Sequence, residues 1–330
     1  MKYRRFGKTD LNISEIGFGT WAIGGPAMAG EIPIGWGDVD DRTSIKALKK
    51  ALDLGINFYD TADFYGLGHS EELLGKLWSN RKDVIIATKV GHRLDADNNI
   101  FLDYSYDYIM KACEDSLNRL RRESIDFYQL HTSRVPDLEG GACIRAMNQL
   151  QKQGKIRYWG ISLNTYHPEP EADFMLNNGI GYGFQLVFNI INQKAISIIK
   201  NASKHGMGII ARMPLQFGLL TGKFDRNAKF PKTDHRNFRL NPQVLERSLK
   251  DLEPIWPIAE KYNIGLDAFA LSFILSHHEI STVIPGIKTP EQAMANVKNI
   301  CTLNQEDLSF LHTLYDVRFS DLLEFMKLHG

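Results

Sequence analysis

Four side chains of unlike chemistry fall where short β-rich runs end. Asp60 closes Asn57-Phe58-Tyr59-Asp60, Lys89 closes Ile86-Ala87-Thr88-Lys89, and His131 closes Tyr128-Gln129-Leu130-His131. Tyr65 stands five residues past Asp60, in the adjoining loop. Singly, each has an ordinary role as a helix cap, a solvated cation or a structural ring. Together, a carboxylate, an ammonium, an imidazole and a phenol are suited to protonating a carbonyl oxygen at neutral pH. A free phenol, with a pKa of ~10, is a sluggish acid there. A neighbouring ammonium stabilises the phenolate, and a carboxylate beside that ammonium keeps it charged and placed. A change of about 3 pKa units corresponds to ~4 kcal/mol, which one close buried cation can supply. The imidazole can hydrogen-bond the carbonyl and orient it.

Such a set works only if the elements carrying it end together. Strands are expected at 15–20, 57–61, 84–89, 125–131, 156–162, 183–189, 208–213 and 281–286. Several are continuous apolar runs, such as Val84-Ile85-Ile86-Ala87, as expected of strands covered by helices on both faces. Helical spacing places Ile45, Leu48 and Leu52 on one face of 42–54, and Ile109, Cys113, Leu117 and Leu120 on one face of 106–121. Gly55 and Gly154 sit where helix C-termini need a left-handed residue. Eight strand–helix units predict an α/β protein of the TIM (β/α)8 barrel type, with an open doubly wound sheet as the alternative. Gly7-Lys8-Thr9-Asp10 reads as the turn of an N-terminal β-hairpin plugging one barrel end. Residues 303–330 are expected to add one or two C-terminal helices. No linker or low-complexity tract divides the chain, so 1–330 reads as a single barrel domain. The longest irregular stretch, 216–242, is expected to be a functional loop.

Composition narrows the class. The chain has 330 residues and equal numbers of basic and acidic side chains, 39 each. A nucleic-acid binder needs a basic surplus, so none is expected. No apolar run approaches the ~20 residues that span a bilayer, and no apolar segment follows Met1-Lys2-Tyr3-Arg4-Arg5 as in a secretory signal. Cys113, Cys143 and Cys301 are far apart, which suits reduced thiols in a cytoplasmic protein. There is no HxH or HExxH, and His277-His278 would point apart on a helix, so no metal site is expected. Gly17-Phe18-Gly19-Thr20-Trp21-Ala22 fits a dinucleotide-binding pattern, but the Trp stands where a helix should open.

The run from Gly55 to Gly66 (GINFYDTADFYG), followed by Ser70-Glu71-Glu72-Leu73-Leu74-Gly75, resembles the signature of the aldo-keto reductases. Further matches follow in order at Gly17–Trp21, Trp159–Ser162, Pro214-Leu215, Gly218–Lys223 and Ile284-Pro285-Gly286. The resemblance implies a metal-free barrel that reduces an aldehyde or ketone with NADPH. It would make Tyr65 the general acid, Lys89 and Asp60 its tuning pair, and His131 the group that orients the substrate. Thr20, Trp21 and Asp60 would border the cofactor, with Trp21 and His131 also walling the substrate pocket. Ser162 and Gln185 match positions that hold the nicotinamide carboxamide. Pro214, Leu215, Gly218 and Lys223 match the pyrophosphate segment, and Gly286, Lys288, Gln292 and Asn296 match the adenosine end.

This chain departs from the pattern at three cofactor positions. Arg212 replaces a stacking aromatic residue, Leu163 an Asn, and Ala295 a Glu. Between Gly222 and Arg239, Lys223, Arg226, Lys229, Lys232, Arg236 and Arg239 outnumber Asp225 and Asp234. That surplus favours NADP(H), and Lys288 is placed to meet a 2′-phosphate. Substrate choice is expected to rest on the loops 22–40, 91–105 and 214–242. Two other functions fit the same fold: a nucleotide-binding regulatory subunit resembling potassium-channel β subunits, and a lyase or isomerase of sugar phosphates.

Overall fold

The computed structural model describes residues 1–329. Eight parallel strands form one sheet: Phe18–Gly19, Phe58–Asp60, Ile85–Val90, Ile125–His131, Ile156–Ser162, Gly183–Val187, Gly208–Arg212 and Thr282–Ile284. Sequential strands are neighbours throughout, and bridges Ile16–Val283 and Gly19–Gly286 join the first to the eighth. The sheet therefore closes nearly into a (β/α)8 barrel. The strands' interior residues read as continuous apolar runs because helices cover them. Ile85, Ile86 and Ala87 are all buried, as are Phe127, Tyr128 and Leu130.

The helices Asp41–Asp53 and Tyr106–Leu120 fall within a residue of their expected bounds. The first is capped by the Asp40 carboxylate, which accepts from the amides of Arg42 and Thr43. Gly55 follows it with φ of 89°, the left-handed geometry that ends the helix without Cβ strain. The seventh strand is followed by an insertion before its helix Leu266–Leu275, and the 216–242 stretch is more ordered than expected. It holds a tight turn at Gln216–Thr221 and a helical turn at Arg236–Arg239, and Pro242 begins the helix Pro242–Leu252. Two loops at the C-terminal mouth carry hairpins that periodicity does not reveal, Met28–Ala29 with Ile32–Pro33 and His92–Leu94 with Ile100–Leu102. The appended helices Gln305–Leu314 and Ser320–His329 continue the core, through Leu311, Phe319 and Leu322.

The N-terminal hairpin, Tyr3–Arg5 paired with Asn12–Ser14, plugs the barrel. Phe6 at its turn is fully buried and packs edge-on against Phe127 at 4.8 Å. It shares a separate apolar cluster with Leu11, Ile13, Phe58, Ile210 and Ile284. The Phe6 ring occupies the space that a Cβ at Gly208 would need, so glycine is required there. Truncation by Phe6→Ala should cost about 3–5 kcal/mol, because the surrounding strands are too rigid to collapse onto the void. Urea denaturation followed by circular dichroism measures this directly.

Candidate active site

The strands place the four singled-out side chains around one point at their C-terminal ends. Lys89, on the third strand, is fully buried, and its Nζ donates to Asp60 Oδ2 at 2.7 Å, to the Thr61 carbonyl at 2.7 Å and to Tyr65 Oη at 3.1 Å. All three ammonium hydrogens are thereby used. Burial alone would push the Lys89 pKa down. The charge of Asp60, the Tyr65 oxygen and the bonds to both outweigh it and hold the pKa above its ordinary value. Asp60 Oδ1 accepts from Gln185 Nε2 at 2.6 Å and from Gln129 Nε2 at 3.2 Å. Tyr65 is presented by a turn in which Gly66 and Leu67 take left-handed backbone angles. A Cβ at Gly66 would collide with the Gly24 backbone, so the turn depends on glycine.

The fourth group, His131, faces the Tyr65 ring edge-on at 6.1 Å. Its imidazole stacks on His92 at 4.1 Å. Burial first, then His92, Lys89 and Arg212, hold the His131 pKa well below its ordinary value, so the ring is neutral. His92, which bonds Thr132 Oγ1 at 3.0 Å, is pushed down to about 4, chiefly by burial.

A cavity of about 630 Å³ opens above this group. Asp60, Tyr65 and His131 line it, with Trp21, Ser162, Gln185, Arg212, Pro214, Leu215, Gly218, Lys223, Gly286, Lys288, Gln292 and Asn296. Lys89 lies beneath Tyr65, closed off from solvent. Thr20 does not reach the cavity, contrary to expectation. It is buried, and its hydroxyl donates to the Asp60 carbonyl, a bond that ties the first strand to the second. Gln185 borders the cavity, but its amide is turned to Asp60. Lys288 Nζ donates to the Trp36 carbonyl at 2.7 Å, holding the 22–40 loop.

Residues that sequence reasoning did not single out complete the rim. His235 stacks on Trp21 at 4.6 Å and meets Trp36 edge-on at 4.4 Å, while Phe217 packs beside it. The surplus of basic residues between 222 and 239 is only partly aimed inward. Lys223, Arg236 and Arg239 line the cavity, whereas Lys229 and Lys232 are exposed. Arg212 donates to the Leu163 carbonyl and Thr165 Oγ1, both at 3.1 Å, and no carboxylate pairs with it or with Arg239 among the described residues.

Several buried polar atoms lack a protein partner here: Arg212 Nε, Arg239 Nε, Asn296 Nδ2, His131 Nδ1 and both ring nitrogens of His235. Unpaired donors beside carboxylate-free cations suit a polyanionic dinucleotide, and they run from the Tyr65 end to Asn296. The donor set fits a nicotinamide cofactor. Among the described residues there is no group of three or more His, Cys, Asp or Glu side chains placed to hold a metal ion.

An eight-stranded parallel barrel with a buried Lys–Asp pair beneath a tyrosine, at the mouth of its strands, is a barrel whose site is suited to proton transfer. Comparison with known proteins makes this specific. The aldo/keto reductase family profile matches residues 15–316, and the chain belongs to that family. The aldo-keto reductase YhdN of Bacillus subtilis is 31% identical over 332 residues, covering 97% of this chain and 96% of that protein. The solved glycerol dehydrogenase AKR11B4 of Gluconobacter oxydans is 31% identical with a TM-score of 0.78, covering 95% and 94% of the two chains. The holo form of aldo-keto reductase AKR11C1 from Bacillus halodurans is 28% identical, also with a TM-score of 0.78, covering 95% and 96%.

The histidines give the site an acid sensitivity. Unfolded histidine titrates near 6.5. Folded, His92 does so at about 4 and His235 at about 3, both mainly because they are buried. Between these values the unfolded chain binds protons that the folded chain refuses. Stability is therefore retained above pH 6.5 and falls as pH drops toward 4. Chemical denaturation at pH 7.5, 6.0 and 4.5 should show midpoints that decrease in that order, with a shallower decrease in His235→Phe.

Proposed function

We propose that this chain is an NADP(H)-dependent carbonyl reductase in which Tyr65 protonates the oxygen of an aldehyde or ketone. The observation that carries this reading is the continuous chain Tyr65 Oη–Lys89 Nζ–Asp60 Oδ2, with steps of 3.1 and 2.7 Å, on the floor of the cavity. A nicotinamide held in the cavity would supply the hydride.

The protein's part is to place the carbonyl and deliver the proton. Tyr65 Oη is the donor at the cavity floor. Its proton leaves to the substrate oxygen as negative charge develops there, and the Lys89 ammonium stabilises the phenolate left behind. Asp60 holds Lys89 charged and fixed, while Gln129 and Gln185 hold Asp60. Neutral His131 can donate a hydrogen bond to the same oxygen without competing for its proton. The Trp21–His235–Trp36 rim forms an aromatic wall beside Tyr65.

Ser162, Arg212 and Gln185 would hold the nicotinamide end. Pro214, Leu215, Gly218, Lys223 and Arg236 would hold the pyrophosphate. Lys288, Gln292 and Asn296 would hold the adenosine, with Lys288 meeting the 2′-phosphate that separates NADPH from NADH. The physiological partner is a small carbonyl compound, and the reading places the reaction in the cytoplasm.

Fluorescence titration should detect NADPH binding, and NADPH oxidation with a panel of aldehydes should show turnover. Tyr65→Phe should lower kcat by about 10²–10⁴-fold, the usual contribution of a general acid, while binding NADPH normally. Full activity in Tyr65→Phe would exclude Tyr65 as the acid. Tight NADPH binding without turnover would point instead to a nucleotide-binding subunit of the channel β type. Lys288→Met should weaken NADPH binding about tenfold or more and leave NADH binding nearly unchanged, as the same titration measures.

A further inference from the structure

Away from the cavity, a second pair of histidines meets where the C-terminal helices join the barrel. His277 follows the helix Leu266–Leu275 and is buried; His312 lies on Gln305–Leu314 and is half-buried. Their Nε2 atoms are 3.4 Å apart. His278, the sequence neighbour of His277, is exposed and takes no part.

The groups behind each ring fix the tautomers. His277 Nδ1 lies 2.9 Å from the Phe273 carbonyl, which only accepts. His312 Nδ1 lies 2.6 Å from Gln193 Oε1. The orientation of that amide is fixed in turn, because Gln193 Nε2 donates to the carbonyls of Ile190 at 3.0 Å and Leu311 at 3.1 Å. Exchanging its oxygen and nitrogen would set an oxygen against two carbonyls. Both Nδ1 atoms therefore carry the hydrogen, and in neutral rings both Nε2 atoms present lone pairs to each other.

Two such lone pairs repel unless a cation lies between them. A proton is poorly suited. Burial lowers the pKa of both rings, and for His277 the neighbouring His312 lowers it further. Charge-assisted hydrogen bonds also draw their heavy atoms to about 2.7–2.9 Å, shorter than the gap here. A tetrahedral ion with metal–nitrogen bonds of about 2.0–2.1 Å sets two imidazole nitrogens about 3.3–3.4 Å apart. The carbonyl and amide behind the rings are the outer acceptors that metal-bound histidines ordinarily have.

We propose that His277 and His312 form a binding site for a single borderline transition cation, of which Zn²⁺ is the type. Water fills the remaining positions, since no third His, Cys, Asp or Glu joins the pair among the described residues. The charged groups around the pair are mixed. Asp316, one turn past His312, and Glu279, beside His277, favour a cation, and Lys200 opposes it. Neither histidine borders the catalytic cavity, so the ion stands apart from the reaction. It pins the C-terminal helix Gln305–Leu314 to the barrel helix Leu266–Leu275.

The test uses the full chain, stripped of metal with a chelator and titrated with Co²⁺ and Zn²⁺. One equivalent of Co²⁺ should produce a visible d–d band with imidazole ligation, displaced by Zn²⁺, and Zn²⁺ should raise the unfolding temperature. His312→Gln, with its fold checked by circular dichroism, should bind Zn²⁺ at least tenfold more weakly at unchanged reductase activity. His277→Asn should behave in the same way. Three results would each overturn the site: no binding at micromolar cation, equal binding by wild type and His312→Gln, or a bridging proton in nitrogen NMR of metal-free protein that excludes Co²⁺.

Discussion

The barrel mouth is organised around one buried ion pair, Lys89 with Asp60, exposed by 0% and 2%. Burying two charges is costly unless every remaining donor and acceptor is answered. Here each is. The ammonium spends its hydrogens on Asp60, Thr61 and Tyr65, and the carboxylate takes Lys89 on one oxygen and two glutamines on the other. That completeness requires groups from the second, third, fourth and sixth strands to end at one depth. Gln129 and Gln185, buried polar residues in an otherwise apolar barrel, are explained by the same need.

The pair also sets the character of the cavity above it. Above it, Arg212, Arg239 and Lys288 line the cavity with no carboxylate in direct contact among the described residues. Burial first, with Lys89 near His92 and His131, Arg212 near His131, and Arg239, Arg236 and Lys288 near His235, keeps the three imidazoles uncharged. A neutral imidazole can donate a hydrogen bond at the reacting end, while the surplus positive charge lies along the walls. Proton delivery and anion binding are thus divided between different residues of one cavity.

Most of the barrel was legible in the sequence, and the reason is visible in particular strands. Ile85–Val90 (IIATKV) and Ile125–His131 (IDFYQLH) are β-rich, largely apolar stretches with Lys89 and His131 at or next to their ends, so those two positions could be read directly. The first strand, expected at 15–20, pairs with the second only at Phe18–Gly19, and the amides of Gly17 and Gly19 donate to the carbonyls of Val283 and Pro285 to close the barrel. The mouth hairpins are two or three residues per strand, too short to show a period. Thr20 shows a different limit. Sequence gives a residue's place on a strand, whereas the direction its side chain takes depends on a partner, Asp60, tens of residues away. His92, Phe217 and His235 carry no such signal, because their places at the rim depend on how the 91–105 and 214–242 loops fold.

The distribution of unpaired polar atoms ties these points together. Proteins leave few buried donors and acceptors unmet, because each costs about 1–3 kcal/mol. Those that line this cavity or its rim are Trp36 Nε1, His131 Nδ1, Arg212 Nε, His235 Nδ1 and Nε2, Arg239 Nε and Asn296 Nδ2. Directly beneath them, the ion pair has no unmet group on either charge. A fold that satisfies its most expensive interaction fully, yet leaves these groups unpaired along one cavity, suits that cavity to a polar ligand. The open groups span the cavity from His131, beside Tyr65, to Asn296 on the helix after the eighth strand, a path suited to an extended molecule whose reactive end lies against the tyrosine.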